Sequence, residues 1–497
     1  MESDSIKSTP NDLRARDLLF MFGFIVLVFS CYMLASQFTA GIGFPLDDSW
    51  IHQTYARNLA EKGEWAFRPG VLSAGSTSPL WSSLLSLGYW LEIPKFIWTF
   101  SLAGGILLLL SCLCEWIVRK EVPSYGPRYP WVGIIILSEW HLVWAGLSGM
   151  ETLLHALFVT IVLAMLVVNF RNYVIIGIVA GLSIWVRPDG LTLLGPILLV
   201  ILATLIQHPK EWPIIGRFLI GFLTLLGLYL FFNLMIGGTP MPNTYYAKQA
   251  EYLSWRDVPL ITRVGRMFLQ LLAGTGVVLL PGLIYFLVRT IERKRIAFYA
   301  VFLWFAGYLC LYVLRLPVYQ HGRYFMPAMP VMFLLGLLGM MEFVGKPVTS
   351  SLQRRLKIAW VSGTFAIVLA FVLLGARAYS QDVRLIETEM VGSAKWIAVE
   401  LPPDALIAAH DIGALGFFDH HALVDLAGLI SPEVIPYIRD ENRLREYLNR
   451  KNVDYLVVMP GFYDELTDGL SFVYSSKDSG GGLLDGRSMT VYLWETP

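Results

Sequence analysis

Charged side chains are scarce in this 497-residue chain. Asp, Glu, Lys and Arg together make up 15% of it, where ordinary globular domains carry about 25%. Set against 56% hydrophobic residues, that shortage excludes both a conventional soluble domain and a disordered chain. Net charge is absent too: 38 Lys and Arg balance 38 Asp and Glu, so no overall field recruits a nucleic acid. Cysteine is nearly missing. Cys31, Cys112, Cys114 and Cys310 all fall in apolar runs and form no Cys-x-x-Cys pair, which excludes a disulfide framework and a thiolate zinc site. His420-His421 with Asp425 matches no usual zinc-ligand spacing. There is no tandem repeat of fixed period.

Apolar runs are what the chain has in quantity. They lie near 18–38, 96–118, 131–148, 151–169, 173–187, 190–207, 214–236, 264–289, 296–314, 324–344 and 358–376. Their lengths predict a polytopic α-helical membrane protein with about eleven transmembrane helices. Arg14 and Arg16 precede Leu18–Gln37, a run longer than the about 7–15 apolar residues of a signal peptide, so the first span is expected to be retained. Ser78–Leu91 is apolar but short, and Pro79 suits a first helical turn; it is expected to be a re-entrant or juxtamembrane helix. With the N-terminus in the cytoplasm, alternation puts Arg119, Lys120, Arg128, Arg171, Lys210, Arg217, Arg289, Arg293, Lys294, Arg295, Lys346, Arg354, Arg355 and Lys357 on the inner side, as the positive-inside rule requires. Counting 78–91 as a span would spoil that bias.

The same alternation sends every unusual polar cluster outward: Leu46-Asp-Asp-Ser49, Gly75-Ser-Thr-Ser-Pro79, Ser148-Gly-Met-Glu151, Val186-Arg-Pro-Asp-Gly190, Pro240–Lys248 and Gln320–Phe325. Ionisable groups near membrane depth are costly and usually line a polar cavity, so the six are expected to converge on one outward-facing site. The chain divides into a transmembrane part, 1–377, whose first external loop 39–95 carries juxtamembrane helices, and an extracytoplasmic α/β domain, 378–497. In that domain Glu387–Val399 and Asn442–Arg450 read as helices, and Ala405–Ala409, Leu423–Leu426, Tyr455–Met459 and Thr490–Trp494 as strands. Gly480–Gly482 marks a turn.

Asp47 and Asp48 are the most pointed feature. Either Ser49 or Asp48 suits the N-cap of a helix over Trp50–Lys62, stopped by Gly63. With Ile51, Tyr55 and Leu59 on one face, this helix is expected to lie flat on the bilayer surface. Capping accounts for one acid. It does not account for two, because adjacent carboxylates repel. A general base on an acceptor hydroxyl, with its neighbour orienting it or helping to hold a cation, accounts for both.

Asp47-Asp-Ser-Trp-Ile-His-Gln-Thr-Tyr-Ala-Arg-Asn-Leu-Ala-Glu-Lys-Gly63 followed by Gly75-Ser-Thr-Ser-Pro-Leu-Trp81 resembles the first external loop of bacterial C-type (GT-C) glycosyltransferases, nearest the branch of the mycobacterial terminal arabinofuranosyltransferase. The match runs on through Arg187-Pro-Asp189, Pro242–Lys248, Gly322–Phe325 and Asp411–Gly416. The resemblance implies a multi-span cell-envelope enzyme that moves a sugar from a polyprenyl-phosphate donor to an acceptor hydroxyl outside the membrane, with inversion. It makes the first-loop acid catalytic, which is Asp47 here with Asp48 beside it. Some relatives, such as protein mannosyltransferases, have Glu at the second position. No cofactor is demanded, and a divalent cation beside Asp47 and Asp48 is the one candidate.

A polyprenyl-phosphate donor needs an apolar groove for its lipid and cations for its phosphate. Lys248, Arg323 and Arg187 are the outer-side cations available, and Arg323 and Arg187 also suit interfacial anchors. Tyr245 and Tyr246, in a loop with Asn243, suit stacking on a sugar and equally a membrane-interface belt. Glu151, Asp189, His321, Tyr324, His410 and Asp411 complete the candidate sugar and acceptor ligands. Plain alternatives stand beside them: Glu151 in a helix's first turn, Asp189 paired with Arg187, Asp411 capping a short helix. The partners expected are a polyprenyl-phosphate-linked sugar, membrane lipids, and a glycan, lipid or protein acceptor, without nucleic acid. The rival reading is a multi-span lipid or sugar transporter or flippase, whose site would sit near the midplane between repeated halves. A non-catalytic sugar or lipid binder would have no need of paired acids.

Overall fold

The computed structural model describes residues 13–126, 128–479 and 488–495; the expected Gly480–Gly482 turn lies outside them. Among the described residues eight helices are long and apolar enough to cross a membrane: Ala15–Gln37, Lys95–Glu121, Pro188–Gln207, Pro209–Gly237, Thr275–Arg293, Ile296–Arg315, Gln320–Gly345 and Ser351–Glu400. Thr152–Val167 and Tyr173–Val186 are apolar but shorter. The chain is a multi-pass membrane protein.

All eleven apolar runs are helical, but two are broken. The 131–148 run divides into Trp131–Leu137 and Trp140–Leu147. The cause is Glu139, whose carboxylate accepts the His141 and Leu142 N–H groups and caps the second piece. The 264–289 run divides into Leu260–Leu272 and Thr275–Arg293 at Gly274, which has φ +89°. Small residues set the tightest helix contacts. A Cβ on Gly177 would lie 2.3 Å from the Phe218 carbonyl oxygen, and one on Gly339 would lie 1.9 Å from that of Gly282.

The first-loop helix runs Asp48–Lys62 and stops at Gly63 (φ 68°). A two-stranded hairpin follows, β1 (Ala66–Arg68) and β2 (Val71–Leu72), then the helix Pro79–Trp90 with its proline in the first turn. Here the expectation of a surface-lying helix is corrected. Ser49 to Ala56 are all buried, because Pro79–Trp90 packs against one side and the C-terminal region against another. Most of the polar face is covered, with only Glu61 and Lys62 at its end exposed: Gln53 Nε2 donates to Thr99 Oγ1 (3.0 Å) and Asn58 Nδ2 to the Ala66 carbonyl (2.9 Å).

The C-terminal region carries a five-stranded mixed sheet: β3 (Leu406–Ala409), β4 (Ala422–Asp425), β5 (Tyr455–Val458), β6 (Ser471–Ser475) and β7 (Thr490–Leu493), in the order β4-β3-β5-β7-β6. β3 pairs parallel with β4 and β5, and β7 antiparallel with β5 and β6. The edge strand β6 was not expected: Phe472 is exposed and serines close both ends, so only Tyr474 turns inward. The change of composition near residue 377 falls inside one continuous helix, Ser351–Glu400, which passes through a π-helical turn at Ile386–Val391.

Candidate active site

A cavity of about 290 Å³ is lined from five of the six polar clusters. Thr77 comes from the first loop, Met150 and Glu151 from the start of Thr152–Val167, and Arg187, Pro188 and Asp189 from the turn after Tyr173–Val186. Met241, Thr244, Tyr245 and Lys248 come from the loop and short helix beyond Pro209–Gly237, and Arg323 and Tyr324 from the start of Gln320–Gly345. Leu311, Tyr312, Arg315 and Leu316, at the end of Ile296–Arg315, close the wall. The sixth cluster reaches the cavity through one ion pair: Arg323 Nη2 donates to Asp48 Oδ2 at 2.6 Å.

The tandem acids have different surroundings. Asp47 is buried, and both its oxygens are occupied: Oδ2 accepts the Gly413 N–H (2.7 Å) and Oδ1 the Ala414 N–H (2.8 Å). Burial, then the charges of Asp411 and Asp48, push its pKa up to about 7 against those two hydrogen bonds. Asp48 retains a third of its side-chain surface and faces Arg323. Burial pushes it up, but Arg323, Lys248 and His52 outweigh that and hold it well below the usual carboxylate range. The first turn of the helix thus turns one acid to the C-terminal region and the other to the cavity.

The cavity's cations differ as sharply. Arg187 is committed: Nη1 donates to Glu151 (3.0 Å), Nε to Asp189 (3.0 Å) and Nη2 to the Tyr312 hydroxyl (3.0 Å). Asp189 accepts Tyr308 and Tyr312 as well, at 2.5 and 2.6 Å, with His155 Nε2 at 3.6 Å. His52 Nε2 lies 3.3 Å from Glu151. Arg187 was expected to hold a donor phosphate, but its donors go to this buried network. Lys248, whose ammonium lies 5.3 Å from the Tyr324 ring centre, and Arg315 have no carboxylate at ion-pair distance among the described residues. Arg323 Nη1 and Thr244 Oγ1 are buried on the cavity wall without a hydrogen-bond partner. An unsatisfied buried donor is costly, so this wall favours a ligand rich in acceptors.

Five expected ligands lie elsewhere. Asn243 donates to the Leu429 carbonyl (2.9 Å), tying its loop to the C-terminal region. Tyr246 packs edge-on against Tyr245 and does not reach the cavity wall. His321 Nε2 pairs with Asp382 (2.8 Å) between Trp140 and Trp144. His410 sits between Glu251 (3.8 Å) and Asp411 (3.6 Å), so Asp411 pairs with its neighbour and does not cap the following helix. Burial lowers the His410 pKa, but Asp411, Glu251 and Asp425 outweigh it and raise the imidazole to about 9. Its charge therefore contributes stability fully present below about pH 6.5 and lost as pH rises through about 9. His410→Gln is expected to flatten thermal stability against pH across that window. A profile unchanged from that of the parent chain would remove His410 as its cause.

The residues beside Asp47 and Asp48 do not make a ligand set for a divalent cation. Both Asp47 oxygens accept backbone N–H groups and Asp48 is spent on arginine. Among the described residues no three His, Cys, Asp or Glu side chains are grouped to hold a metal ion. Several residues of the site were not singled out from sequence. Arg315 directly follows the 296–314 apolar run, which gives it no signal of its own. Tyr308 and Tyr312 lie inside the same run, where a four-residue spacing puts both hydroxyls on one face. His52, four residues after Asp48, had that spacing as its signal.

A family model described as a domain of unknown function, DUF8728, matches residues 376–492. A comparison with curated proteins gives no match. Among solved structures, apo ArnT from Cupriavidus metallidurans aligns over 96% of this chain and 98% of its own, at 14% identity and TM-score 0.56. The same protein bound to undecaprenyl phosphate aligns over 96% and 98%, at 16% identity and TM-score 0.57. The mycobacterial arabinofuranosyltransferase AftD aligns over 98% of this chain but 40% of its own, at 16% identity and TM-score 0.45. The chain has the fold of ArnT.

Proposed function

We propose that this chain is a glycosyltransferase that moves a sugar from a polyprenyl-phosphate donor to an acceptor hydroxyl, with inversion, at the outer face of the membrane. In this reading the N-terminus is cytoplasmic, residues 1–377 form the membrane domain, and 378–497 form an extracytoplasmic domain over the cavity. The observation that carries it is the cavity wall itself. Two cations without carboxylates, Lys248 and Arg315, stand with an arginine, Arg323, that has an unpaired buried Nη1 and holds Asp48. The ArnT fold with undecaprenyl phosphate bound supports a lipid phosphate as the occupant, and Leu311 and Leu316 on the same wall suit the first units of its tail.

The chemistry is a single displacement. Donor phosphate takes hydrogen bonds from Arg323 and charge from Lys248 and Arg315. In doing so it draws Arg323 away from Asp48. The charges that keep Asp48 a weak base are then neutralised, while burial, which favours the protonated form, remains. The acceptor hydroxyl passes its proton to Asp48, and its oxygen forms a bond to the anomeric carbon. The bond from that carbon to the phosphate oxygen breaks, and the phosphate leaves with the electron pair. The charge it gains faces preorganised cations, which is where electrostatic stabilisation is most effective. Arg187 with Glu151 and Asp189 forms a rigid polar wall for sugar hydroxyls.

Lys248→Ala and Arg315→Ala are each expected to weaken binding of undecaprenyl phosphate about tenfold or more, since one hydrogen bond to a charged group contributes about 1.5–3 kcal/mol. Titration of purified protein with undecaprenyl phosphate tests this, and unchanged affinity in both variants would move the phosphate elsewhere. The activity is tested by release of free lipid phosphate from a panel of polyprenyl-phosphate-linked pentoses and hexoses, each incubated with a mixture of glycan, lipid and protein acceptors. No release from any of them, with undecaprenyl phosphate still bound, would leave a lipid binder or flippase in its place.

A further inference from the structure

The contact between the first loop and the C-terminal region is more specific than packing requires. A six-residue helix, Gly413–Phe418, follows β3 and lies against the first-loop helix Asp48–Lys62. Asp47 accepts the N–H groups at its start, from Gly413 and Ala414. Arg57, three turns along the first-loop helix, donates to the carbonyls at its end, Phe417 at 2.9 Å and Gly416 at 3.4 Å, with its guanidinium 4.5 Å from the Phe417 ring centre. An acid at the N-terminus and a base at the C-terminus both complement the partial charges of a short helix.

Between those ends the fit is close. Trp50 packs on Phe417 and Phe418, with ring centres 4.9 and 4.7 Å away. A Cβ on Gly413 would lie 2.0 Å from the Asp47 carbonyl oxygen, and one on Gly416 would lie 2.0 Å from the Phe67 ring. Arg68 in β1 donates to the Asp419 carbonyl at 2.9 Å. The grip joins residues about 360 positions apart, and Asp47 is the peptide neighbour of the acid that meets Arg323.

We propose that the C-terminal region is a positioning element of the active site: the Gly413–Phe418 helix, held at both ends by Asp47 and Arg57, fixes the first turn of the first-loop helix and so aims Asp48 at the cavity. This assigns the tandem acids different work. Asp47 is a positioning residue that docks the C-terminal region, and Asp48 is the group that meets substrate. The proposal rests on the glycosyl-transfer reading for the role of Asp48, but not for the docking.

The test uses the full-length protein and pairs two readouts: hydrogen exchange of the 413–418 amides, and turnover of whichever donor in the panel reacts fastest. Arg57→Ala and Asp47→Asn touch the grip from the loop side. Gly413→Ala touches it from the C-terminal side without altering any loop residue, and exchange in the membrane helices reports that each variant is folded. All three are expected to speed 413–418 exchange at least tenfold and lower kcat about tenfold or more, with donor KM nearly unchanged. Arg57→Lys, which keeps one donor for the carbonyls, is expected to recover part of both. If 413–418 loosens in all three while kcat stays at the parent value, the positioning role is wrong and the transfer reading stands. If Asp47→Asn abolishes turnover with 413–418 as protected as before, Asp47 is itself the reacting acid and the assignment is overturned. Full turnover in Asp48→Asn would sink the transfer mechanism separately, without bearing on the exchange result.

Discussion

Asp48→Asn is expected to lower turnover about 10²–10⁴-fold, the range for a lost general base, while undecaprenyl phosphate binds more tightly than to the parent chain. The opposite signs are the point. In the resting site Asp48 occupies Arg323 at 2.6 Å, so an incoming phosphate must displace a carboxylate from the guanidinium it needs. Asparagine removes the charge and keeps the shape, which frees the Nη2 hydrogen held by the carboxylate beside the unpartnered Nη1, while Nη2 keeps the Tyr324 hydroxyl at 3.3 Å. Charged hydrogen bonds contribute about 1.5–3 kcal/mol, so a gain in affinity of about tenfold is reasonable. Titration with undecaprenyl phosphate and single-turnover kinetics measure the two effects. Weaker binding together with lost turnover would mean that Asp48 helps to seat the donor. Stronger binding with unchanged turnover would mean that it only blocks the site.

Much of this architecture was legible because a membrane restricts the choices. Eleven apolar runs became helices, and the polar clusters at their ends met at one cavity, since isolated ionisable groups are poorly tolerated there. What stayed hidden depended on angles and partners. Asp47 and Asp48 are adjacent in sequence, but successive helical side chains diverge by roughly 100°, and only the position of Gly413 and Ala414 decides which acid is taken up in docking. The sequence offers Asp189 as a partner for Arg187, but nothing local places Glu151, 36 positions away, against the same guanidinium. The break at Glu139 had a visible cause, a lone carboxylate in an apolar run, but nothing local said whether it would be paired, buried or used as a cap. The first-loop helix misled for a related reason. Its polar face implied water, and what covers it is another part of the same chain.

Arg187→Met is expected to produce the largest loss of stability, about 3–5 kcal/mol, the range for a buried ion pair broken on one side. Glu151 is only 2% exposed and the Asp189 side chain 10%, so removing the guanidinium strands two carboxylates away from water. Tyr308, Tyr312, His52 and His155 still donate to or flank them, but none supplies a fixed positive charge. The expected readouts are a lower melting temperature in detergent and poor yield. Breaking one partner of such a network is costly, whereas replacing the whole set with neutral groups of similar size is often nearly neutral. The triple variant Arg187→Met, Glu151→Gln, Asp189→Asn should therefore regain most of the lost stability. Its turnover then separates scaffold from function. Recovery of stability with activity still absent would place the network against the sugar, and recovery of both would reduce it to a structural brace. No recovery of stability in the triple variant would mean that Arg187 acts through its packing and its bond to Tyr312, and not through charge.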